Sequence, residues 1–359
     1  MQPLQLKTEF TADAYRWTAT NPNGVETVLS TLQNCTFVAA DEGVYNVALE
    51  LIDSQSATKY AFTVTVIHED VEYSQFISDV YEYRPAPGQF INVMPQWESG
   101  DTEADMCRKV ADALCNGGSE LVSLGAYGGY VTFGFDHMVV NVDGEKDLMI
   151  QGNAFYESGY EDLKVGSCEP GIVMVSIDEN GNGLPDDAWY ELAGSEYNSL
   201  GTLHNYSITY SRPDADKADV AKPPYIVDAE YIPWRDSTGA TGYIEKNFQH
   251  SQSYFPNWVD DDTMTFCGTR LANNAIDTYG NGSYFQLISY DWGYVDNHPN
   301  SETNLNSFDI GWAVDAYGVP VHLPGINFVR VYTGLNQTCN WLGETSTEVA
   351  NAVDLHVAM

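Results

Sequence analysis

Basic side chains are scarce. The 359 residues carry 15 Lys+Arg against 51 Asp+Glu, a net charge of −36 at pH 7. Binding nucleic acid requires Lys and Arg to displace phosphate counterions, so this supply argues against a nucleic-acid partner. An anionic membrane surface is repelled for the same reason. No run is apolar for long enough to span a bilayer as a helix. Met1 leads straight into Gln2-Pro3-Leu4-Gln5 with no signal segment, which reads as a start trimmed of its leader. Cysteines are few: Cys35, Cys107, Cys115, Cys168, Cys267 and Cys339, with no CxxC pair to suggest zinc or thioredoxin chemistry. Cys107 and Cys115 fall on one predicted helix, about 12 Å apart by helical rise, too far to pair. Most of the six are expected to be buried thiols. Neither Gly-x-Ser-x-Gly nor His-Glu-x-x-His occurs, so a serine or zinc hydrolase has no motif. Cation binding and a neutral or cationic ligand remain open.

Aromatic residues are plentiful at 13%, with 24 Tyr and 8 Trp. With Gly, Asn, Ser and Thr they suit an extracellular β-protein, in which most rings fill cores and some stack on ligands. One stretch has the spacing of a calcium loop. Asp178, Asn180, Asn182 and Asp186 place oxygens at loop positions 1, 3, 5 and 9, and Gly183 stands where such loops turn sharply. Leu184 offers its carbonyl. Position 12 is Trp189, so Asp187 or Glu191 is expected to supply the missing acid. The run 171–177 before the loop reads as a buried strand, which makes this a strand-loop Ca2+ site rather than an EF-hand. The bland alternative is an Asn-Gly turn with solvated carboxylates.

The chain reads as all-β with two domains. Over residues 1–68, short strands at 15–20, 35–39, 45–53 and 59–66 alternate with turns such as Asn21-Pro22-Asn23-Gly24, the pattern of a small sandwich. Residues 69–82 read as a linker, and 83–359 as a larger jelly-roll-like β-domain. One helix is expected from 101 to 116, capped by Thr102 with Asp105 three residues later and stopped by Gly117-Gly118. Strands follow at 121–125, 129–135, 139–142, 147–152, 206–210, 308–314 and 327–333. The polar stretch 214–224 reads as an exposed loop.

Two resemblances follow from particular phrases. Trp17, Glu42-Gly43-Val44-Tyr45-Asn46-Val47 and Leu51-Ile52-Asp53 resemble a PKD-type immunoglobulin-like domain. Such domains are spacers and adhesive modules, and they name no ligand. In the larger region, 85–90, Gly134-Phe135-Asp136-His137, Glu169-Pro170-Gly171-Ile172-Val173, 186–195 and Gly343-Glu344-Thr345-Ser346-Thr347-Glu348 resemble a group of Bacteroidetes cell-surface proteins with an N-terminal PKD-like domain. That resemblance implies export and display at the outer membrane on a lipidated N-terminus. It also implies a partner protein in an outer-membrane uptake system, cobalamin's among them. It carries over no catalytic residue.

Asp136-His137 invites an acid-base reading, but neighbours in a strand point to opposite faces, and a structural histidine is the plainer one. His204, His250, His298 and His322 are scattered, so no transition-metal site is inferred. Three loops combine rings with polar groups: 231–236 with Trp234, 248–258 with Tyr254 and Trp258, and 290–298 with Trp292, Tyr294 and His298. They are the candidate surface for a glycan or cobalamin-like ligand. The expectation is a non-catalytic surface accessory protein for nutrient capture. A carbohydrate-active hydrolase or lyase would need two close carboxylates in a cleft. A structural adhesin would lack an aromatic-lined pocket.

Overall fold

The computed structural model describes residues 3–39, 41–54, 56–68 and 70–357. Met1, Gln2, Ala40 and Gln55 of the first unit, Glu69 of the expected linker, and the last two residues lie outside that part. The first unit is a small β-sandwich. A four-stranded antiparallel sheet, in the order Glu26–Ser30, Ala14–Thr20, Gly43–Asp53, Ser56–Val66, is accompanied by the pair Leu4–Leu6 and Cys35–Phe37. Period-two alternation puts Tyr45, Val47, Leu49 and Leu51 on one face, where they join Trp17, Leu6 and Phe37 in a separate core. The turn at 21–24 closes as its composition requires. The Asn21 side chain accepts from the Asn23 and Val25 amides, and Gly24 takes a positive φ of 84°.

The second unit begins earlier than expected. Ile77 is already fully buried in its core, and Asp79–Arg84 is an edge strand of its main sheet. Phe76 already bridges to Val353, so the packed part of this unit reaches back into the stretch expected as a linker. The main sheet has six antiparallel strands, in the order Ala313–Val314, Trp189–Leu192, Gly171–Ser176, Gly325–Thr333, Tyr130–Val140, Asp79–Arg84. Alternation divides its faces. Val173, Val175, Val329, Val331, Val131 and Phe133 pack toward the helix Glu103–Leu114, while Ile172, Met174 and Tyr332 face a four-stranded sheet. That second sheet runs Thr241–Asn247, Ile226–Asp236, Leu203–Ser211, Thr263–Arg270. The helix has the full capping box between Thr102 and Asp105 and buries Met106, Val110, Ala113 and Leu114.

Two expectations are corrected here. The segment 231–236, read as a binding loop, is the end of the strand Ile226–Asp236. Pro233 pairs with Tyr243 on one side, and pairing with the Leu203–Ser211 strand reaches only Trp234, so the missing amide costs that side nothing. The stretch 308–314 is not one strand. Asp309 caps Gly311 at 2.7 Å and Asp147 captures the Ile310 amide at 2.7 Å, which curls Ile310–Trp312 into a 3-10 turn. All six cysteines are free thiols. Cys35, Cys168 and Cys339 are buried, Cys107 and Cys115 partly so, and Cys267 is exposed.

Candidate functional site

A cleft of about 800 Å3 opens where the strand Trp189–Leu192 meets the four-stranded sheet. Its wall carries three rings, Trp189, Tyr197 and Tyr317, and Tyr317 is 91% exposed. Trp189 is held from behind. The Arg330 guanidinium lies 4.3 Å from its ring centroid and 4.3 Å from that of Tyr130, while Arg330 pairs with Glu82. Tyr197 packs against His204 with the rings tilted and their centroids 4.4 Å apart. Polar groups converge between the rings: Glu191, His204, Asn198, Ser207, Thr269 and Asp315.

Local backbone chemistry aims these groups. Glu191 pairs with Met174, so it shares the sheet face turned toward the second sheet. Register slips between Leu203 and Tyr206, and Asn205 takes a positive φ of 55°. This bulge turns His204 toward Thr269, as bulges beside sites commonly do. His204 Nδ1 lies 3.1 Å from Thr269 Oγ1, and Glu191 Oε2 lies 2.6 Å from that same hydroxyl. The Tyr332 hydroxyl accepts from the Thr269 amide at 2.9 Å and so ties the two sheets together under the cleft. Burial pushes the Glu191 carboxyl up to about 7, against the pull of the Thr269 hydrogen bond.

The structure disperses the expected ligand residues. Tyr254, Tyr294 and His298 are fully enclosed and offer a ligand no surface. Tyr254 and Tyr294 are core rings, and His298 hydrogen-bonds Tyr156 at 2.6 Å. Trp234 is partly buried and packs over Gly242, and Trp258 stacks on Tyr83 at 5.9 Å. Trp292 is 39% exposed but leans on Trp312 at 4.5 Å. These rings serve packing, Trp234 within its strand and the others at the bases of loops, since a flat apolar face gains most by burial.

The calcium-type residues divide into two places. Asp178, Asn180, Asn182, Leu184, Asp186 and Asp187 share one exposed loop. Asp178 accepts from the amides of Gly181, Asn182 and Gly183, and Asp187 from that of Glu179. Asn180 Nδ2 donates to Asp186 at 2.9 Å and Asn182 Nδ2 at 3.0 Å, so three side chains converge on one point. Glu191 is not beside them. It belongs to the cleft.

Two further clusters of ionisable side chains lie outside the cleft lining. His137 is buried with Asp136 at Nδ1 and Asp354 at Nε2, both at 2.7 Å, so the Asp136–His137 pair serves as a pillar. Glu169, Asp296 and Glu348 bring carboxylate oxygens within 4.8 Å of one another. Asp296 accepts from the amides of Asn153, Ala154 and Glu348, Glu169 from that of Ser346, and Glu348 from the Ser346 hydroxyl. Burial raises all three. Neighbouring carboxylates push Glu169 and Glu348 further, while three amides pull Asp296 back. Sequence reading missed this cluster and the Glu191–Thr269–His204 chain, because each gathers residues from segments far apart along the chain.

No family model matches the chain, and no curated protein is similar to it. Among solved structures, a SusE-like protein is similar at a TM-score of 0.29 and 9% identity, over 95% of this chain and 88% of that one. A likeness at that level carries no argument.

Proposed function

We propose that this protein is a surface-displayed accessory protein that binds a saccharide or a comparably polyhydroxylated small molecule in the cleft beside Glu191. The observation that carries the reading is the wall of Trp189, Tyr197 and Tyr317 around converging polar groups. Aromatic faces stack on the apolar faces of sugar rings, and Glu191, His204 and Asn198 would bind hydroxyls at their edges. The net charge of −36 favours a neutral or cationic ligand over an anion. In this reading the chain is exported and held at the outer membrane by a lipid anchor, beside an uptake protein. Its N-terminal sandwich acts as the spacer, as the PKD-type phrases suggest. Calcium belongs to the same reading. Turning over the Asn180 and Asn182 amides would present two oxygens beside Asp178, Asp186, Asp187 and the Leu184 carbonyl, a hard-cation donor set that stiffens the loop.

A thermal-shift and calorimetry panel of neutral oligosaccharides and cobalamin tests the ligand. One saccharide should raise the melting temperature, and Trp189→Ala and Tyr317→Ala should each weaken it roughly 2–10-fold, the worth of a ring contact. Silence across the panel, or binding indifferent to both substitutions, removes the cleft. Glu191 favours a second reading, a carbohydrate-active enzyme, because a partly buried acid raised to about 7 is suited to proton donation. Product formation from the bound saccharide, lost in Glu191→Gln, would decide for it.

A further inference from the structure

Three hydrogen bonds at the cleft floor constrain one another. His204 Nε2 lies 3.1 Å from the Tyr197 carbonyl oxygen, which only accepts, so Nε2 carries a proton. In a neutral imidazole, Nδ1 is then bare and must accept from Thr269 Oγ1, 3.1 Å away. That spends the single hydroxyl proton of Thr269. The 2.6 Å contact between Thr269 Oγ1 and Glu191 Oε2 then needs a proton on Glu191. The other arrangement reverses every donor. Nδ1–H donates to Thr269, Thr269 donates to a Glu191 carboxylate, and the imidazole is charged. Both arrangements hold the same number of protons, and they differ only in where one of them rests.

We propose that Glu191, Thr269 and His204 form a proton relay that holds one shared proton and sets the charge at the cleft floor. Removing that proton leaves two contacts to Thr269 and one hydroxyl proton to fill them, so the chain resists losing it. The bulge at His204–Asn205 exists in this reading to bring the imidazole to Thr269. Burial of Glu191 favours the protonated chain, against the pull of the Thr269 hydrogen bond. Glu191 faces the phenols of Tyr127, Tyr197, Tyr294 and Tyr332, each held above its usual range by burial with the Glu191 charge adding to it. Cys267 and Asp315 line the same cleft, and Arg270 acts on Tyr127 rather than on Glu191. The consequence for function rests on the cleft reading above. Ligand hydroxyls meet an acid and a neutral imidazole, or a carboxylate and an imidazolium, and occupancy becomes pH-dependent.

The test needs no ligand, so it stands apart from the saccharide reading. The Glu191 side-chain carboxyl is followed by 13C NMR against pH in the full chain, in wild type, His204→Gln, Thr269→Val and the double variant. His204 touches Glu191 only through Thr269, so His204→Gln should move the Glu191 midpoint by at least about half a pH unit in the wild-type background and not at all on Thr269→Val. Thr269→Ser keeps the hydroxyl and should restore the response to His204→Gln. Equal movement in both backgrounds, movement in neither, or failure of Thr269→Ser to restore it overturns the relay. The saccharide panel failing while this cycle succeeds would remove the ligand and leave the relay standing.

Discussion

Replacing Glu344 by Gln should make the protein less sensitive to alkali, by an amount that follows from its surroundings. Glu344 is 3% exposed. Its Oε1 accepts from the Gln89 amide at 2.5 Å, and its Oε2 is buried without a partner. Burial pushes the carboxyl up to about 8. The folded protein therefore keeps a proton that the unfolded chain releases near the ordinary value of about 4.3. A raised acid of this kind leaves stability highest at low pH. Stability falls as pH rises from the unfolded value to the folded one, then levels off. Each unit across that window costs about 1.4 kcal/mol, so wild type should lose on the order of 3 kcal/mol between about pH 5 and pH 8 through this group. Glutamine reproduces the neutral acid, keeps the Oε1 bond to Gln89 and has no proton to lose. In urea unfolding, the stability of Glu344→Gln relative to wild type should rise by about 3 kcal/mol over that range. Part of the rise will come through Glu169, which the Glu344 charge also raises. A difference constant to within about 0.5 kcal/mol between pH 5 and pH 8 would refute the claim that Glu344 is folded as a neutral acid.

Three further outcomes are expected. Burial pulls the His137 imidazolium down, but hydrogen bonds to Asp354 and Asp136 outweigh it and the net direction is up. Its contribution is therefore full below about 6.5 and lost as pH rises through the folded value, so Asp354→Asn should destabilise by about 1–3 kcal/mol at acidic pH and less at alkaline pH. An unchanged penalty would show that His137 is folded neutral. Calcium should raise the melting temperature and chelator lower it, with stabilisation of roughly 2.7 kcal/mol at a hundredfold excess over Kd. Asp178→Asn with Asp186→Asn should abolish the response, and elemental analysis finding no metal would remove the cation. A Cβ at Gly268 would stand 2.8 Å from the buried Tyr332 hydroxyl, so Gly268→Ala should cost about 1–3 kcal/mol and weaken saccharide binding by disturbing Thr269. Unaltered denaturation and binding would show that Tyr332 does not brace the cleft.

Local chemistry was legible where one segment carries its own instruction. Period-two alternation located the strand Gly43–Asp53, and the Thr102–Asp105 box located the helix Glu103–Leu114. Asn21 and Gly24 located their turn. Where the outcome depends on a distant partner, the same reasoning went astray. Pro233 and its aromatic neighbours suggested a loop, although a strand accepts that proline where pairing ends on one side. The apolar run 308–314 reads as a continuous strand, but Asp147 reaches across to the Ile310 amide and breaks it.

The sequence alone determined the all-β class, the helix capped by Thr102, the acidic charge and the spacing of the loop 178–187, because backbone periodicity, capping and turn geometry act over a few residues. Only the tertiary structure decided which rings face solvent. It enclosed Tyr254 and Tyr294 and left Tyr317 at a cleft, since burial depends on which sheets meet. It also brought Glu191, Thr269 and His204 together from three strands. Their meeting follows from long-range strand pairing and one bulge in register, and neither is encoded in the spacing of residues along the chain.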